Sequence, residues 1–182
     1  MSIISAVTVT KLEAARRQLD VALDLIFSNG DAIAAHTLVG AASAIVTDLV
    51  CVKCPDRSWD THAQEANKLA PRDYFAIMRR AQNFLKHAKA DPNEVLELDP
   101  TDTDSLAFWA VMNLGELGCT LSAKESVLQL WYVACYSPVL DEDSLPNVAA
   151  RQLFGDLRTI DRKTRVSVAA RVLAERDTSS VR

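Results

Sequence analysis

An uncharged stretch runs from Ala32 to Thr47 and constrains the fold more than any other part of the chain. Its 16 residues include His36 and Gly40. They are too few and too polar to span a bilayer comfortably, which takes about 20 mostly apolar residues. Asp31, directly before the stretch, is a suitable N-cap for a helix. We therefore expect a helix from Asp31 to about Val50 that lies among other helices and lets their backbones approach closely at its small residues.

The rest of the sequence supplies the helices that would surround this one. The chain has only five glycines in 182 residues, under half the usual share of about 7%, which is atypical of an all-β protein. T-x-x-E at Thr10 and S-x-x-E at Ser122 are capping boxes that mark helix starts. Apolar spacing and stop signals predict helices over residues 10–28, 60–69, 71–89, 106–117, 122–136, 146–157 and 161–176, with 94–99 as a short strand or an extended connector. The prediction is a single all-α domain over residues 1–182, an antiparallel bundle of about seven or eight helices.

The composition excludes several classes of protein. Apolar residues make up 49% and charged residues 24% of the chain, which is typical of a globular protein and not of a disordered one. No basic region precedes the first apolar residues, so we expect no secretory signal, a cytoplasmic location and no membrane association. The sequence contains no P-loop, G-x-G-x-x-G, H-E-x-x-H or G-x-S-x-G pattern. We therefore predict no cofactor.

The four cysteines do not form a metal-binding pattern. Cys51 and Cys54 form a C-x-x-C, and His62 follows them. A structural zinc site takes four ligands, usually in two spaced pairs, and Cys119 and Cys135 provide no second pair. A redox dithiol with this spacing normally lies in a βαβ unit. We predict no metal site and expect partly buried, reduced thiols.

Charge is distributed unevenly, although the net charge is only −4. Residues 91–143 carry one basic and 11 acidic groups, whereas residues 71–90 carry five basic groups and one acidic group. A local basic patch matters more for a polyanionic partner than the total charge does. The basic segment is therefore a candidate RNA-binding surface. The acidic middle is a candidate surface for a basic protein partner.

The segment RRAQNFLKHAKADP, residues 79–92, has a spacing that suits RNA chemistry without a metal. Arg80 and His87 are seven residues apart, and seven helical steps return to within about 20° of the starting direction. We expect Arg80, Asn83 and His87 on one face of the helix, with Arg80 and His87 about 10 Å apart along its axis. Side chains lean toward the N-terminus, so Arg80 points away from His87 within one chain. Two such helices crossing at a two-fold axis would bring Arg80 of one chain near His87 of the other.

The chemistry of these side chains fits that arrangement. Histidine can move a proton near neutral pH, arginine can clamp a phosphate through two parallel hydrogen bonds, and Asn83 could orient either. Arg79, Lys86 and Lys89 would attract backbone phosphates. A purely structural interpretation stays open, since cations in the last turn of a helix interact favourably with its dipole.

An arginine, four to six intervening residues and a histidine on a helix of an all-α bundle resemble the HEPN superfamily. The phrases AAHTL (34–38) and NFLKHA (83–88), with Asp91-Pro92 after them, also resemble a group of bacterial helical proteins near that superfamily. The resemblance implies a homodimer in which Arg80 and His87 match the ribonuclease motif, and a metal-independent endoribonuclease of a toxin–antitoxin or defence system. Ala81 stands where active members often have a polar residue. The alternative is a non-catalytic helical interaction module, antitoxin-like or scaffolding.

His36 has two interpretations. A histidine in an uncharged helix can be a core residue that is satisfied by a hydrogen bond. It can also lie near His87 and form one pocket with it. The sequence does not decide between the two, because it does not place the two helices relative to each other.

Overall fold

The computed structural model describes residues 6–89, 92–136 and 143–179. Within these residues the chain forms nine α-helices and no strand, which confirms the all-α prediction. The helices are α1 (Lys11–Phe27), α2 (Ala32–Lys53), α3 (Trp59–Asn67), α4 (Pro71–Met78), α5 (Arg80–Lys86), α6 (Pro100–Glu116), α7 (Ala123–Tyr136), α8 (Leu145–Phe154) and α9 (Arg162–Ser179). A 3-10 turn (Pro55–Arg57) follows α2.

Side-chain caps explain why three of the helices begin where the sequence predicts. The Thr10 hydroxyl accepts a hydrogen bond from the Glu13 N–H, and the Glu13 carboxylate accepts one from the Thr10 N–H, so the capping box at α1 is complete. Asp31 accepts from the Ala34 N–H at 2.7 Å and starts α2. Ser122 and Glu125 form the same reciprocal pair before α7. These caps satisfy helix-end donors that would otherwise have no partner.

Helix α2 lies among its neighbours, as its lack of charge predicts. It packs against α1, α5 and α6 and buries Val39, Val46 and Val50 completely. In the part of the chain that the structure describes, α2 is also the one helix with the length and mean hydropathy of a membrane span, a property that core helices share. Val39 and Val46 join a hydrophobic cluster formed with α1, α6, α7, α8 and α9.

An ion pair with a fully buried carboxylate ties α9 to this cluster. The Arg162 guanidinium donates to both carboxylate oxygens of Asp104 on α6, at 2.7 and 2.8 Å. The Tyr136 hydroxyl donates to the same carboxylate at 3.0 Å. Asp104 is 0% exposed. The bidentate contact with the Arg162 guanidinium compensates its buried charge, and such bidentate pairs are among the strongest hydrogen-bonded ion pairs.

The prediction of one continuous helix over residues 71–89 is wrong. Helix α4 ends at Met78, Arg79 leaves helical geometry at φ −102° and ψ 7°, and α5 restarts at Arg80. The Arg79 guanidinium lies 4.5 Å from the centre of the Phe75 ring, where it stacks on α4. The break lets α5 take its own direction against α2. It also brings the number of helices among the described residues to nine, above the predicted seven or eight.

Helix α6 begins six residues earlier than predicted. The Asp99 carboxylate accepts a hydrogen bond from the Thr101 N–H at 2.9 Å, and Pro100 occupies the first helical position. Proline suits that position because its fixed φ is helical and it has no N–H to satisfy. The acidic stretch at 101–104 is therefore helical, and residues 94–99 form an extended connector instead of the alternative strand.

Candidate functional site

Helices α3, α4 and α5 form a flank against α2 and α6, and each buries a single residue. The buried residues are Asp60 on α3, Tyr74 on α4 and Gln82 on α5. All three carry hydrogen-bonding groups. Hydrogen bonds hold α3 and α4 through Asp60 and Tyr74, whereas Gln82 holds α5 by close packing against Gly40.

Asp60 is the centre of the polar contacts. Its carboxylate accepts hydrogen bonds from Thr47 Oγ1 at 2.9 Å, from Asn113 Nδ2 at 2.9 Å and from the Tyr74 hydroxyl at 3.1 Å. These bonds join α2, α3, α4 and α6. Burial, with the nearby charge of Asp60, raises the pKa of Tyr74 far above its usual range. Tyr74 therefore stays a neutral donor, and three neutral donors stabilise the buried carboxylate.

Helix α5 approaches α2 closely because residue 40 is glycine. A Cβ at Gly40 would lie 3.0 Å from the Cγ of Gln82, closer than side-chain carbons normally come. The Gln82 side chain is 4% exposed, and its Nε2 has no hydrogen-bond partner among the described residues. The close approach at Gly40 thus lets α5, which begins with Arg80, lie directly against α2.

A groove of about 530 Å³ opens between the flank and α6, and we call it the His36 groove. Helix α2 contributes its floor, α4 and α5 one wall, and the connector with the first turns of α6 the other. Its lining residues are His36, Ala76, Ile77, Met78, Arg80, Ala81, Leu96, Glu97, Leu98, Asp102 and Ser105. This volume lies within the range of small-molecule sites, about 300–1,000 Å³.

His36 is buried in the floor of the groove, and only one of its two ring nitrogens has a hydrogen-bond partner among the described residues. It is 3% exposed, and its Nδ1 lies 3.0 Å from Thr103 Oγ1. Its Nε2 has no partner in the part of the chain that the structure describes. Burial lowers the pKa of His36, and the negative charge of Asp102 opposes part of that shift. The imidazole is therefore neutral at pH 7, and Nε2 can donate or accept according to the tautomer.

The structure brings one predicted catalytic residue to the groove and leaves the others outside it. Arg80, at the start of α5, lines the groove with its side chain exposed. Asn83, Lys86 and His87 are exposed and do not line it. His87 is the C-cap of α5, with extended geometry at φ −133° and ψ 115°. His36 and Arg80 therefore line the same groove. The alternative expected from the sequence, a pocket shared by His36 and His87, is not found among the lining residues of this groove.

The remaining predicted RNA-binding residues differ in their surroundings. Lys89 is exposed, a few residues after the end of α5. Arg79 is half-buried, and one face of its guanidinium packs on the Phe75 ring. That face is therefore not open to a phosphate. The exposed cations of this region are thus Lys86, Lys89 and Arg80, together with Arg72 on α4.

Sequence reasoning missed Glu97, Asp102 and Thr103. Thr103 is the hydrogen-bond partner of His36, and the two carboxylates line the groove opposite Arg80. The sequence does contain a signal that places Asp102 and Thr103 in a helix: Asp99 and Pro100 are typical of the N-cap and of the first position of a helix. With α6 begun there, Asp102 and Thr103 fall in its first turn and not in a loop. Glu97 had no comparable signal.

The cysteines take no part in this site. Cys51 is exposed, and Cys54 donates a weak hydrogen bond to the Glu116 carbonyl at 3.6 Å. Burial raises the pKa of Cys135 to about 12, so that thiol stays protonated. No group of three or more histidine, cysteine, aspartate or glutamate side chains within the described ranges is placed to hold a metal ion.

Comparisons with family models, with curated proteins and with solved structures found no match to this chain. The chemistry of the groove and of the cations beside it is therefore what a function can be inferred from.

Proposed function

We propose that this protein binds RNA through an exposed basic surface on α4, α5 and the residues that follow. This basic surface consists of Arg72, Arg80, Lys86, His87 and Lys89. All five side chains are exposed, and none forms an ion pair with any residue that the structure describes. This unpaired charge on one short stretch of chain is the observation that supports the proposal.

Several basic residues elsewhere are used within the fold. Arg16 pairs with Glu125 at 2.8 Å and Arg162 with Asp104 at 2.7 Å, both against buried carboxylates. Lys124 bridges Asp20 and Asp24 at 3.0 and 2.7 Å. Cations that have no carboxylate partner keep their charge for backbone phosphates, and each phosphate neutralised releases counterions.

The fuller form of the proposal is a HEPN-like antiparallel bundle that acts as a homodimer and cleaves RNA without a metal, in a toxin–antitoxin or defence setting. The exposure of Arg80 and His87 at opposite ends of α5 supports it. The two residues are about 10 Å apart along the helix, so a second copy must bring Arg80 of one chain to His87 of the other. His87 would then move the proton, and Arg80 would stabilise charge on the phosphate.

Binding is tested by fluorescence anisotropy with a labelled single-stranded RNA at several salt concentrations. We expect the double variant Lys86→Gln, Lys89→Gln to bind several-fold more weakly and to lower the salt slope of log K by about 1.4, the value for two phosphate contacts on a single strand. Lys11→Gln, which removes an exposed lysine on α1, is the matched control. Equal affinities in all three proteins would contradict the proposal.

Cleavage is tested separately, because binding does not require it. Purified protein is incubated with RNA in the presence of a chelator, next to Arg80→Ala and His87→Ala. We expect wild-type protein to degrade RNA and both variants to lose at least about a hundredfold in rate, the usual contribution of a general acid or base for His87 and of a charge-stabilising group for Arg80. The same rate in all three proteins would remove the roles assigned to Arg80 and His87 and leave only RNA binding.

A second candidate function is supported by the acidic side of the groove. A nine-residue stretch contains four exposed carboxylates: Glu94, Glu97, Asp99 and Asp102. None of them forms an ion pair with another residue that the structure describes. A non-catalytic module, antitoxin-like or scaffolding, would use this row to hold a basic protein partner. A stable complex with a basic protein, with no RNA bound at low salt, would favour this function over the first.

A further inference from the structure

We infer that the His36 groove binds a nucleobase that carries an exocyclic amino group, such as cytosine, adenine or guanine. The inference rests on the proposed RNA binding and names the part of a nucleotide that the groove would take. It is drawn from the shape of the groove, from the charges on its two rims and from the unpartnered nitrogen in its floor.

The walls of the groove suit a flat ring. Ile77 and Met78 line it on the α4 side, and Leu96 and Leu98 line it from the connector. Ile77 is 64% exposed, so a large apolar surface lies open to water beside charged residues. A base between these walls would cover that surface and remove its apolar area from water, which is favourable.

The two rims carry opposite charges that do not neutralise each other. Arg80 lines the α5 side, and Glu97 and Asp102 line the other. No ion pair links these groups in the described part of the chain. A ligand that suits both rims needs an anionic group for Arg80 and N–H donors for the carboxylates. A nucleotide with an amino-bearing base has both, in its phosphate and its exocyclic amine.

Other ligands fit only part of the groove. Inorganic phosphate would pair with Arg80 and leave the apolar walls exposed. A hydrocarbon chain or an apolar helix would cover the walls and take water away from two carboxylates without replacing their hydrogen bonds, which is costly. The combination of apolar walls, one cation and two acceptors therefore favours a nucleotide.

His36 supplies a hydrogen-bonding group at the floor. Its Nε2 has no partner among the described residues and almost no solvent-accessible surface, so a base edge reaches it when the flank, which has few buried apolar contacts, moves outward. The ring atoms of a base present both donors and acceptors along one edge, and a neutral imidazole can match either through its tautomer. We therefore assign His36 to the recognition of the base edge, while Thr103 holds the ring through Nδ1.

The test is isothermal titration calorimetry of the full chain with three probes: cytidine 5′-monophosphate, uridine 5′-monophosphate and ribose 5-phosphate. Uracil has a carbonyl where cytosine has its amino group, and ribose 5-phosphate has no base. We expect cytidine monophosphate to bind about tenfold more tightly than uridine monophosphate, the value of one well-placed hydrogen bond. Ribose 5-phosphate should bind most weakly. Equal affinities for all three probes would overturn the inference.

A variant of His36 separates ligand binding from folding. In His36→Asn the amide can replace Nδ1 as the partner of Thr103, but no atom remains at the place of Nε2. We expect this variant to keep its melting temperature within a few degrees and to lose about tenfold in affinity for cytidine monophosphate, as one hydrogen bond predicts. Wild-type affinity in a folded His36→Asn protein would contradict the role of His36.

A second pair of variants tests the groove without touching a polar residue. Ala81→Leu would fill the groove from its α5 wall, whereas Ala66→Leu adds the same side chain to an exposed position on α3. Only Ala81→Leu should abolish the preference for cytidine over uridine monophosphate. If both variants retain that preference, the base does not lie in the His36 groove.

Failure of this inference can be told apart from failure of the proposed function. RNA binding that depends on Lys86 and Lys89, together with equal affinities for the three small probes, would refute the base site and keep the RNA-binding surface. Selective binding of cytidine monophosphate that Ala81→Leu abolishes, without RNA binding at low salt, would support the groove and refute the RNA function.

Discussion

Two regions of this protein are held together by different forces. In the core region, formed by α1, α2 and α6–α9, apolar side chains pack into one cluster, and α1 alone buries six of them, from Ala15 to Phe27. In the flank, each of α3, α4 and α5 buries one residue, and each of these residues carries a polar group. Apolar burial dominates folding free energy, so the flank depends on far fewer stabilising contacts.

This difference matters for function because the His36 groove lies at the boundary between the two regions. His36, Asp102 and Ser105 belong to the core region, whereas the opposite wall with Arg80 belongs to the flank. Segments with few buried apolar contacts open at lower free energy than the global unfolding of the protein. The hydrogen bonds of Asp60 and the contact of Gln82 with Gly40 attach the flank wall of the groove to the core region.

The largest expected effect comes from Trp131 in the core region. Its side chain is fully buried, and its indole N–H donates to the Arg165 carbonyl at 2.9 Å. Trp131→Ala should lower the free energy of unfolding by about 3–5 kcal/mol, because it leaves a large cavity and an unpaired carbonyl. Urea unfolding followed by circular dichroism measures this loss. Val52→Ala, at a position 82% exposed, is the control, and equal loss in both variants would contradict the role of the core.

The next effect should be confined to the flank. Asp60→Ala removes the acceptor of three hydrogen bonds and leaves Thr47, Tyr74 and Asn113 without it, which should destabilise the attachment of α3 and α4 by about 2–3 kcal/mol. Hydrogen exchange read by mass spectrometry should show faster exchange in α3 and α4, with α1 unchanged.

The control for Asp60 is Asp56→Ala, which removes an exposed carboxylate in the neighbouring 3-10 turn. It should leave the exchange of α3 and α4 as in the wild type. If Asp60→Ala instead accelerates exchange equally in α1 and α3, the flank and the core region unfold as one unit, and the distinction between them fails.

A smaller effect is expected from pH. The pKa of folded His36 lies below its ordinary 6.5, so between these two values the unfolded chain binds a proton that the folded chain does not. Stability therefore rises with pH across that window and falls as the pH drops below about 6.5, by up to about 1.4 kcal/mol for each unit of difference in pKa. Urea midpoints at pH 7.5 and 5.5 measure the fall.

His36→Asn separates this contribution from that of the carboxylates, which also change with pH. The variant lacks a group that titrates in the window, so its urea midpoint should fall less than that of the wild type between pH 7.5 and 5.5. An equal fall in the two proteins would show that His36 binds its proton as readily in the folded state as in the unfolded one.

The sequence predicted those elements whose signals are local. Helices α1, α2 and α7 begin at side-chain caps that can be read from residues three positions apart, such as Thr10 with Glu13. The break at Arg79 has no such signal, since residues 71–89 have a continuous apolar period. The contacts found beside it are made by side-chain packing: Gly40, distant in sequence, admits Gln82, and Arg79 stacks on Phe75.

The candidate site was predictable only in part for the same reason. His36 and Arg80 were identified from the uncharged helix and from the spacing of the basic segment, yet their common groove depends on how α5 packs against α2. Asp102 and Thr103 complete the site from a helix whose early start was misjudged. Residue chemistry could be read from the sequence, whereas the pairing of residues required the tertiary contacts that place the flank.

The smallest expected effect tests that placement through two glycines. Alanine is favoured over glycine inside a helix by about 1 kcal/mol. At Gly115 on α6 a Cβ would meet nothing within 4 Å, so Gly115→Ala should stabilise the protein by about 0.5–1 kcal/mol. At Gly40 the new Cβ would lie 3.0 Å from Gln82 Cγ, and moving Gln82 offsets the helical gain. Gly40→Ala should therefore leave the urea midpoint near that of the wild type or below it, and hydrogen exchange should become faster in α5 alone. If both variants are stabilised equally and α5 stays protected, then Gln82 does not hold α5 against α2, and the wall of the groove that carries Arg80 must be fixed by other contacts.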